Sequence, residues 1–424
     1  MDSSEGSSPA CGSDSSSLPT EVNESFDNEN FPTTAREYVL VTGGLGFIGS
    51  HTSLELLKAG YNVVIVDDLS NSHWEAFSRI LAIAREHFDS HGGECPMAEF
   101  HHMNYRDIPA MRTLLQSHCM ESLAGERRQS NIIGVIHFAA FKAVEESIRH
   151  PLKYYQNNIS GLVDLMALLS KYNIKKFIFS SSAVVYGILA NGSRTLREEY
   201  CVHESEIYQE VDGVEELAQQ GCIGITSPYG RTKFFGEAIL SDLAMSDPSW
   251  NIVGLRYFNP IGCDASGLLG ENAKEAPSNL LPVVVKVITG QMAELSVYGG
   301  DWNTPDGTAI RDFIHVTDLA RGHIAAMSAI QSGRIQEPYR TFNLGTGTGY
   351  SVLEVVTAME SASGRRIPQK LVNRRAGDVQ SSVAAATRAK VELGWETQNS
   401  LTDACRDTWN HVQLNGASIR CPMK

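Results

Sequence analysis

The sequence predicts a doubly wound parallel α/β sheet followed by a smaller C-terminal lobe. Three observations predict it. Short β-rich runs alternate with helical stretches, the pattern of strand–helix–strand units. A glycine-rich turn joins the first run to the first helix. After Pro260 the pattern loosens into Gly-, Asn- and Pro-containing pieces with short helices.

Order begins near Tyr38. YVLVTGGLGFIGSHTSLELLKAG reads as strand, glycine turn and helix, with Gly60 ending the helix. YNVVIVDDL, NIIGVIHFAA, KKFIFSSSAVVYG and IVGLRYFNP follow as further buried strands, with helices such as HPLKYYQNNISGLVDLMALLSKYN between them. RDFIHVTDLARGHIAAM reads as a return to the first domain, a strand followed by a helix. The expected organisation is a tail at 1–36, a first domain at 37–259 with 310–346 returning to it, and a second lobe at 260–309 and 347–424. Three stretches read as insertions, around His87–Cys95, around Glu121–Ser130, and Leu189–Gly224, the last with a helix near Gly213–Gln220.

Composition narrows the function. The chain has 424 residues and a formal net charge of −14. Such an acidic balance repels nucleic acid and anionic lipid, so neither is expected as a partner. No apolar run reaches the length of a membrane span. Eight cysteines without CxxC spacing read as reduced thiols of a cytoplasmic protein, with no metal site expected. The first 36 residues are Ser-rich, acidic and poor in large apolar groups, so they read as disordered.

The glycine turn is Thr42–Gly49. Gly43 permits the tight turn, Gly46 lets a pyrophosphate approach the helix N-terminus, and Gly49 lets helix and strand pack closely. A second strand ends in Asp67, at the spacing expected for a carboxylate that accepts from adenosine ribose hydroxyls. That carboxylate would repel a 2′-phosphate, which favours NAD over NADP on a Rossmann-type sheet. Asp68, Leu69, Ser70, Asn71 and Ser72 continue the loop and can complete an adenosine pocket, with Phe47 and Ile48 opening the helix.

Tyr229 and Lys233 are four residues apart, on one face of a helix that Ser227 caps and Pro228 begins. A free tyrosine has a pKa near ~10, and a neighbouring ammonium together with a positive nicotinamide ring favours the phenolate. Ser182 closes a strand-end Ser180-Ser181-Ser182 and can relay a substrate hydroxyl proton to Tyr229.

Together these blocks resemble the UDP-glucose 4-epimerases, extended members of the short-chain dehydrogenase/reductase superfamily. The resemblance rests on Thr42–Gly49, Val66–Ser72, Val135–Ser147, Phe177–Gly187, Ser227–Lys233, Leu255–Gly262, Arg311–His315, Phe342–Gly347 and Arg374–Asp378. IHFAAFKAV, RYFNPIG and GTAIRDFIHV are specific to the epimerase. The resemblance implies that Tyr229 takes the sugar C4-hydroxyl proton while a hydride leaves C4. The resulting 4-keto sugar turns over and is reduced on its other face, and a retained NAD is regenerated each cycle. It also implies cofactor contacts at Asn104, Tyr105, Phe138, Ala139, Lys142, Asn157, Lys233 and Tyr257. Substrate contacts are implied at Lys142, Ser182, Tyr229, Phe258, Asn259, Asn279, Leu280, Val297, Tyr298, Arg311, Arg375, Asp378 and Ser382.

Two positions refine the expectation. Ala183-Val184 stands where related dehydratases carry an Asp-Glu pair, so no acid/base is placed there for elimination. The family commonly has Thr at Val184. Ser382 stands where members restricted to UDP-glucose and UDP-galactose tend to hold tyrosine, and a small residue there leaves room for a 2-acetamido group. LVDLMALLSKY and the Tyr229 helix are expected to form a homodimer interface in this family. A 4-epimerase of a UDP-pentose or UDP-uronate is the alternative enzyme, and a catalytically silent dinucleotide sensor the non-enzyme reading.

Overall fold

The computed structural model describes residues 36–120, 129–191, 194–209, 213–274, 279–375 and 377–419. The tail up to residue 35 and most of the Glu121–Ser130 insertion lie outside these residues.

The first domain is built on seven parallel strands: β1 (Tyr38–Thr42), β2 (Asn62–Asp67), β3 (Ala98–His102), β4 (Ile132–His137), β5 (Lys176–Ser182), β6 (Asn251–Tyr257) and β7 (Tyr339–Leu344). They lie in the order β7-β6-β5-β4-β1-β2-β3. The expected doubly wound sheet is therefore present. Because side chains alternate along a strand, β1 sends Val39 and Val41 into one core and Tyr38 and Leu40 into the other. The first core is covered by α1 (Phe47–Lys58), by the Glu75–His91 helix and by the Val316–Gln331 helix. The second is covered by the Ile108–Ser117, Gly161–Lys171 and Pro228–Ser246 helices. Burial on both faces explains why these strands read as continuous apolar runs.

Strand order reverses between β1 and β4, so a crevice opens beyond their C-terminal ends, where α/β sheets bind ligands. The register aligns the chemistry there: Thr42 lies opposite His137, and Ser182 opposite Tyr257.

The second lobe has its own core of Ile261, Leu281, Val284, Phe313, Val355 and Met359, among others. Its main sheet joins Asn259–Ile261, Ile310–His315, Gly349–Ser351 and Ser381–Ser382. Leu295–Tyr298 pairs separately with Gln369–Val372. The stretch 310–346 is thus divided. Its first strand pairs with Asn259–Ile261 in the small sheet, and the return to the large sheet begins with the Val316–Gln331 helix.

The helix expected near Gly213–Gln220 is a strand instead. Glu215–Ala218 pairs antiparallel with Glu206–Gln209, Tyr208 opposite Glu216. The local residues are good helix formers, but cross-strand contacts win. The Tyr208 hydroxyl donates to Glu216 at 2.9 Å, and the Arg197 guanidinium covers the Tyr208 ring at 5.1 Å. No helix among the described residues is long and apolar enough to cross a membrane.

Candidate active site

Gly43 has φ +71°, and a Cβ there would stand 2.7 Å from the Ala139 amide nitrogen. Turn and neighbouring strand end therefore touch backbone to backbone. A Cβ on Gly49 would lie 2.1 Å from Gly43 O, so only glycine lets α1 start this close to β1. At Gly46 an added Cβ meets only Gly43 O, at 3.4 Å, and no side chain caps the helix there. The first-turn amides thus face a cavity of about 500 Å³ with room for a pyrophosphate. Phe47, Ile48, Phe138 and Ala139 line the same cavity.

The acidic loop closes the adenosine end. Asp67 Oδ1 accepts from Leu69 N (2.9 Å) and the Ser72 hydroxyl (2.7 Å), and Oδ2 from Leu45 N (3.0 Å). These bonds fix the carboxylate with one Oδ2 lone pair free for a ribose hydroxyl. Asp68 Oδ2 accepts from Asn104 Nδ2 at 2.8 Å, and Oδ1 from Ser70 N at 2.9 Å. Asp68, Ser70, Asn71, Ser72, Asn104 and Tyr105 line the cavity, while Leu69 turns the loop with φ +56°. Tyr105 donates to the carbonyl of Asn157, which lies in a π-helical turn, Gln156–Ser160, between two α-helices. Such turns reposition side chains at functional sites. These residues, the glycine turn and the free ribose position fit NAD.

At the other end, Ser227 caps the Pro228–Ser246 helix by accepting from Gly230 N at 3.1 Å. Tyr229 and Lys233 line the cavity from its first turns. Burial pushes the Tyr229 hydroxyl up to about 12, opposed by its hydrogen bond with Ser182. Burial lowers Lys233 to about 7, opposed by Glu237. The Lys233 ammonium donates to Ser180 O and stands 5.9 Å from the Tyr229 ring centroid. The lysine thus turns its donor to a carbonyl, and burial dominates the tyrosine. Desolvation of the phenolate outweighs a cation committed to a carbonyl. Tyr257 donates to His323 Nε2 at 2.6 Å, because His323 Nδ1 is engaged with Leu319 O at 2.8 Å.

The residues expected to hold the sugar nucleotide gather on the second lobe. Arg311 lies opposite Ser382 in the small sheet, with Arg311 Nη2 3.7 Å from Asp378 Oδ1. Arg375 Nε reaches Asp378 Oδ2 at 3.3 Å, and its guanidinium lies 4.5 Å over the Tyr298 ring. Val297 is buried beside that tyrosine. Asn279 precedes the Leu280–Ile288 helix at its N-cap position, and Asn259 pairs with Phe313. The Asp378 loop meets the Tyr229 helix, since a Cβ on Gly377 would contact Thr226 at 3.5 Å. Phe258 differs from the rest. Its side chain is buried with Val185, Tyr186, Leu196 and Ala384, which leaves its backbone as the contact it can offer.

Residues 39–345 match the family model described as NAD dependent epimerase/dehydratase family. The UDP-glucose 4-epimerase of Dictyostelium discoideum is 44% identical over 377 residues, 89% of this chain and 96% of that protein. The chain belongs to this family, among the UDP-glucose 4-epimerases. The Bifidobacterium longum UDP-glucose 4-epimerase, solved in complex with NAD+ and UDP, superposes with a TM-score of 0.74 at 41% identity, covering 89% of this chain and 99% of that one. The Stenotrophomonas maltophila enzyme, solved with NAD and formylated UDP-arabinopyranose, gives 0.75 at 39% identity, covering 90% and 100%.

In this epimerase the structure adds a closure that sequence reasoning missed. Residues Leu269–Ala273 of the second lobe line the cavity. Glu271 pairs with Lys142 at 3.5 Å, and Lys274 donates to Leu69 O at 2.6 Å, so the segment bridges both ends of the cleft. Arg79 anchors it by donating to Leu268 O at 2.9 Å. The segment has no periodicity and no motif, so only an unusual pairing of Lys and Glu across 129 residues would have shown it.

Proposed function

We propose that this chain catalyses the reversible C4 epimerisation of UDP-glucose and UDP-galactose with a retained NAD. The observation that carries the reading is that Tyr229, hydrogen-bonded to Ser182, and Lys233 line the same cavity as the glycine turn and Asp67. When bound, NAD supplies the hydride acceptor and donor, and its positive ring favours the Tyr229 phenolate. The chain does the rest. Ser182, hydrogen-bonded to Tyr229, holds the C4 hydroxyl and passes its proton to Tyr229 Oη. Lys233, held by Ser180 O, orients the nicotinamide ribose. Arg311 and Arg375 hold the diphosphate and Asp378 the uridine ribose. Ala183 and Val184 offer no acid or base, which keeps the chemistry at C4. Purified full-length protein given UDP-galactose without added NAD should yield UDP-glucose. Failure with NAD added as well would reject the reading.

N-acetylated substrates follow from Ser382, whose small side chain lies opposite Arg311 in the small sheet. UDP-GlcNAc should be turned over at a rate comparable to UDP-glucose, and Ser382→Tyr should suppress the former selectively. UDP-arabinose and UDP-glucuronate are assayed beside them, since preferential use of either would favour a pentose or uronate enzyme.

A homodimer through the Gly161–Lys171 and Pro228–Ser246 helices is supported by Val163, Phe235 and Met245, large apolar side chains that the single chain leaves exposed. Sedimentation of the wild type and of Phe235→Asp tests it, with a monomeric wild type as the contrary result. The eight cysteines, scattered without CxxC spacing, support a cytoplasmic setting.

A further inference from the structure

Cys201 and Cys222 stand on either side of the hairpin inserted ahead of the Tyr229 helix. The backbone brings them together. Val202 bridges Gly221 in the antiparallel sense, and Gly221 N donates to Val202 O at 2.9 Å. From an antiparallel bridge the two chains run in opposite directions, so the residue before Val202 faces the residue after Gly221. Cys201 is thereby set opposite Cys222. The bridge is isolated, Val202 also meeting Gln220 in the parallel sense, so the two cysteines flank it directly rather than belonging to a longer ladder. A disulfide bridges Cα atoms about 4.4–6.8 Å apart, the spacing of residues on neighbouring paired strands. The two thiols interact with each other, and the Cys222 thiol also donates to Val185 O.

We propose that Cys201 and Cys222 form a reversible intrachain disulfide by exchange with a small disulfide such as oxidised glutathione. Cys222 is the partly exposed member, and its interaction with Cys201 lowers it while Cys201 is raised. The Cys222 thiolate attacks one sulfur of the external disulfide, whose S–S bond breaks and releases one thiolate. Cys201 then loses its proton and displaces the second thiolate from the mixed disulfide. Two protein thiols are oxidised, one external disulfide is reduced to two thiols, and two protons pass to solvent and the leaving thiolates.

A metal does not suit the same cluster. Ligand atoms of Cys201, His203 and Glu237 lie within 4.8 Å of one another. Glu237, however, accepts from Arg256 Nε at 3.0 Å, Arg256 Nη2 at 2.7 Å, His203 at 2.9 Å and the Ser181 hydroxyl. A divalent cation would have to displace a fully buried guanidinium from that carboxylate. The disulfide asks for no such displacement. It would tether the hairpin where Cys201 O accepts from Arg256 Nη2 at 2.6 Å, and Arg256 in turn holds Glu237, which accepts from Ser181 beside the site.

Trypsin makes the test direct, because residues 198–230 contain neither Lys nor Arg and both cysteines fall in one peptide, 198–231. Full-length protein is treated with oxidised glutathione, quenched with acid, denatured, alkylated with iodoacetamide and digested. The expected result is a peptide two hydrogen atoms lighter than the dithiol form and unalkylated, restored to the dialkylated form by prior reduction. In Cys201→Ser, Cys222 should instead carry glutathione. The proposal is overturned if wild-type peptide 198–231 is dialkylated at oxidant levels that modify Cys95. It is equally overturned if Cys222 stops as the mixed disulfide, or if either cysteine pairs elsewhere. A second readout is independent of the variants. Glutamyl endopeptidase should nick the oxidised hairpin without separating the fragments until reductant is added.

Discussion

Tyr229 is a base that the protein by itself holds as an acid. Burial raises it to about 12, and its hydrogen bond with the Ser182 hydroxyl opposes that rise. Tyr229→Phe keeps the ring and its packing but removes the proton acceptor. Turnover should fall by about 10²–10⁴-fold, the usual worth of a general acid–base group, with thermal unfolding little changed. Lys233 gives a second test through stability. Its ordinary value is 10.5 and burial brings it to about 7. Between those values the unfolded chain binds the extra proton, so stability rises with pH across the window and is lost as pH falls toward 7. Lys233→Met removes this dependence. Urea unfolding of the variant should show it more stable than wild type at pH 6.5, with the gap shrinking by pH 10, while epimerisation is lost. A gap independent of pH would mean that Lys233 is not held as an ammonium under strain.

At the scale of elements, two helix starts position the site. Ser227→Ala removes the cap of the Tyr229 helix and should cost about 1 kcal/mol, read from denaturant midpoints. Gly49→Ala should do more, because its Cβ would collide with Gly43 O and force α1 from β1. Loss of the retained dinucleotide on purification is the expected signature. Both starts were legible in the sequence, because caps and glycine turns are set by residues adjacent in the chain. The insertion was not. Gly213–Gln220 has helical propensity, yet Glu215–Ala218 pairs with Glu206–Gln209, while Arg197 and Arg256 hold Tyr208 and Cys201 of the same insertion. Likewise the strand Ile310–His315 resembles the strands of the large sheet, and only its neighbour Asn259–Ile261 assigns it to the small one.

The whole molecule carries its acid sensitivity in buried histidines. Burial lowers His51 to about 4, His137 to about 3 and His323 to about 4, from an ordinary value of 6.5. Each stays neutral when folded and takes a proton when unfolded. The histidine contribution to stability is therefore full above pH 6.5, falls as pH drops through that value, and levels off below the folded values. Urea midpoints at pH 7, 5.5 and 4.5 should decline steadily, and a flat response would contradict the burial. His323 adds a local effect, since its protonation would remove the acceptor that holds the Tyr257 hydroxyl.

The sequence by itself determined the doubly wound sheet, the dinucleotide turn, Asp67 and the Tyr229–Lys233 spacing, because each depends on short-range periodicity or on residues within a few positions of one another. The family resemblance supplied the sugar-nucleotide residues. Only the tertiary structure decided how the second lobe reaches back over the cofactor cleft through Glu271 and Lys274, how burial sets the acidity of Tyr229 and Lys233, and how the insertion folds. These depend on contacts between distant segments and on the exclusion of water, which spacing along a chain does not record.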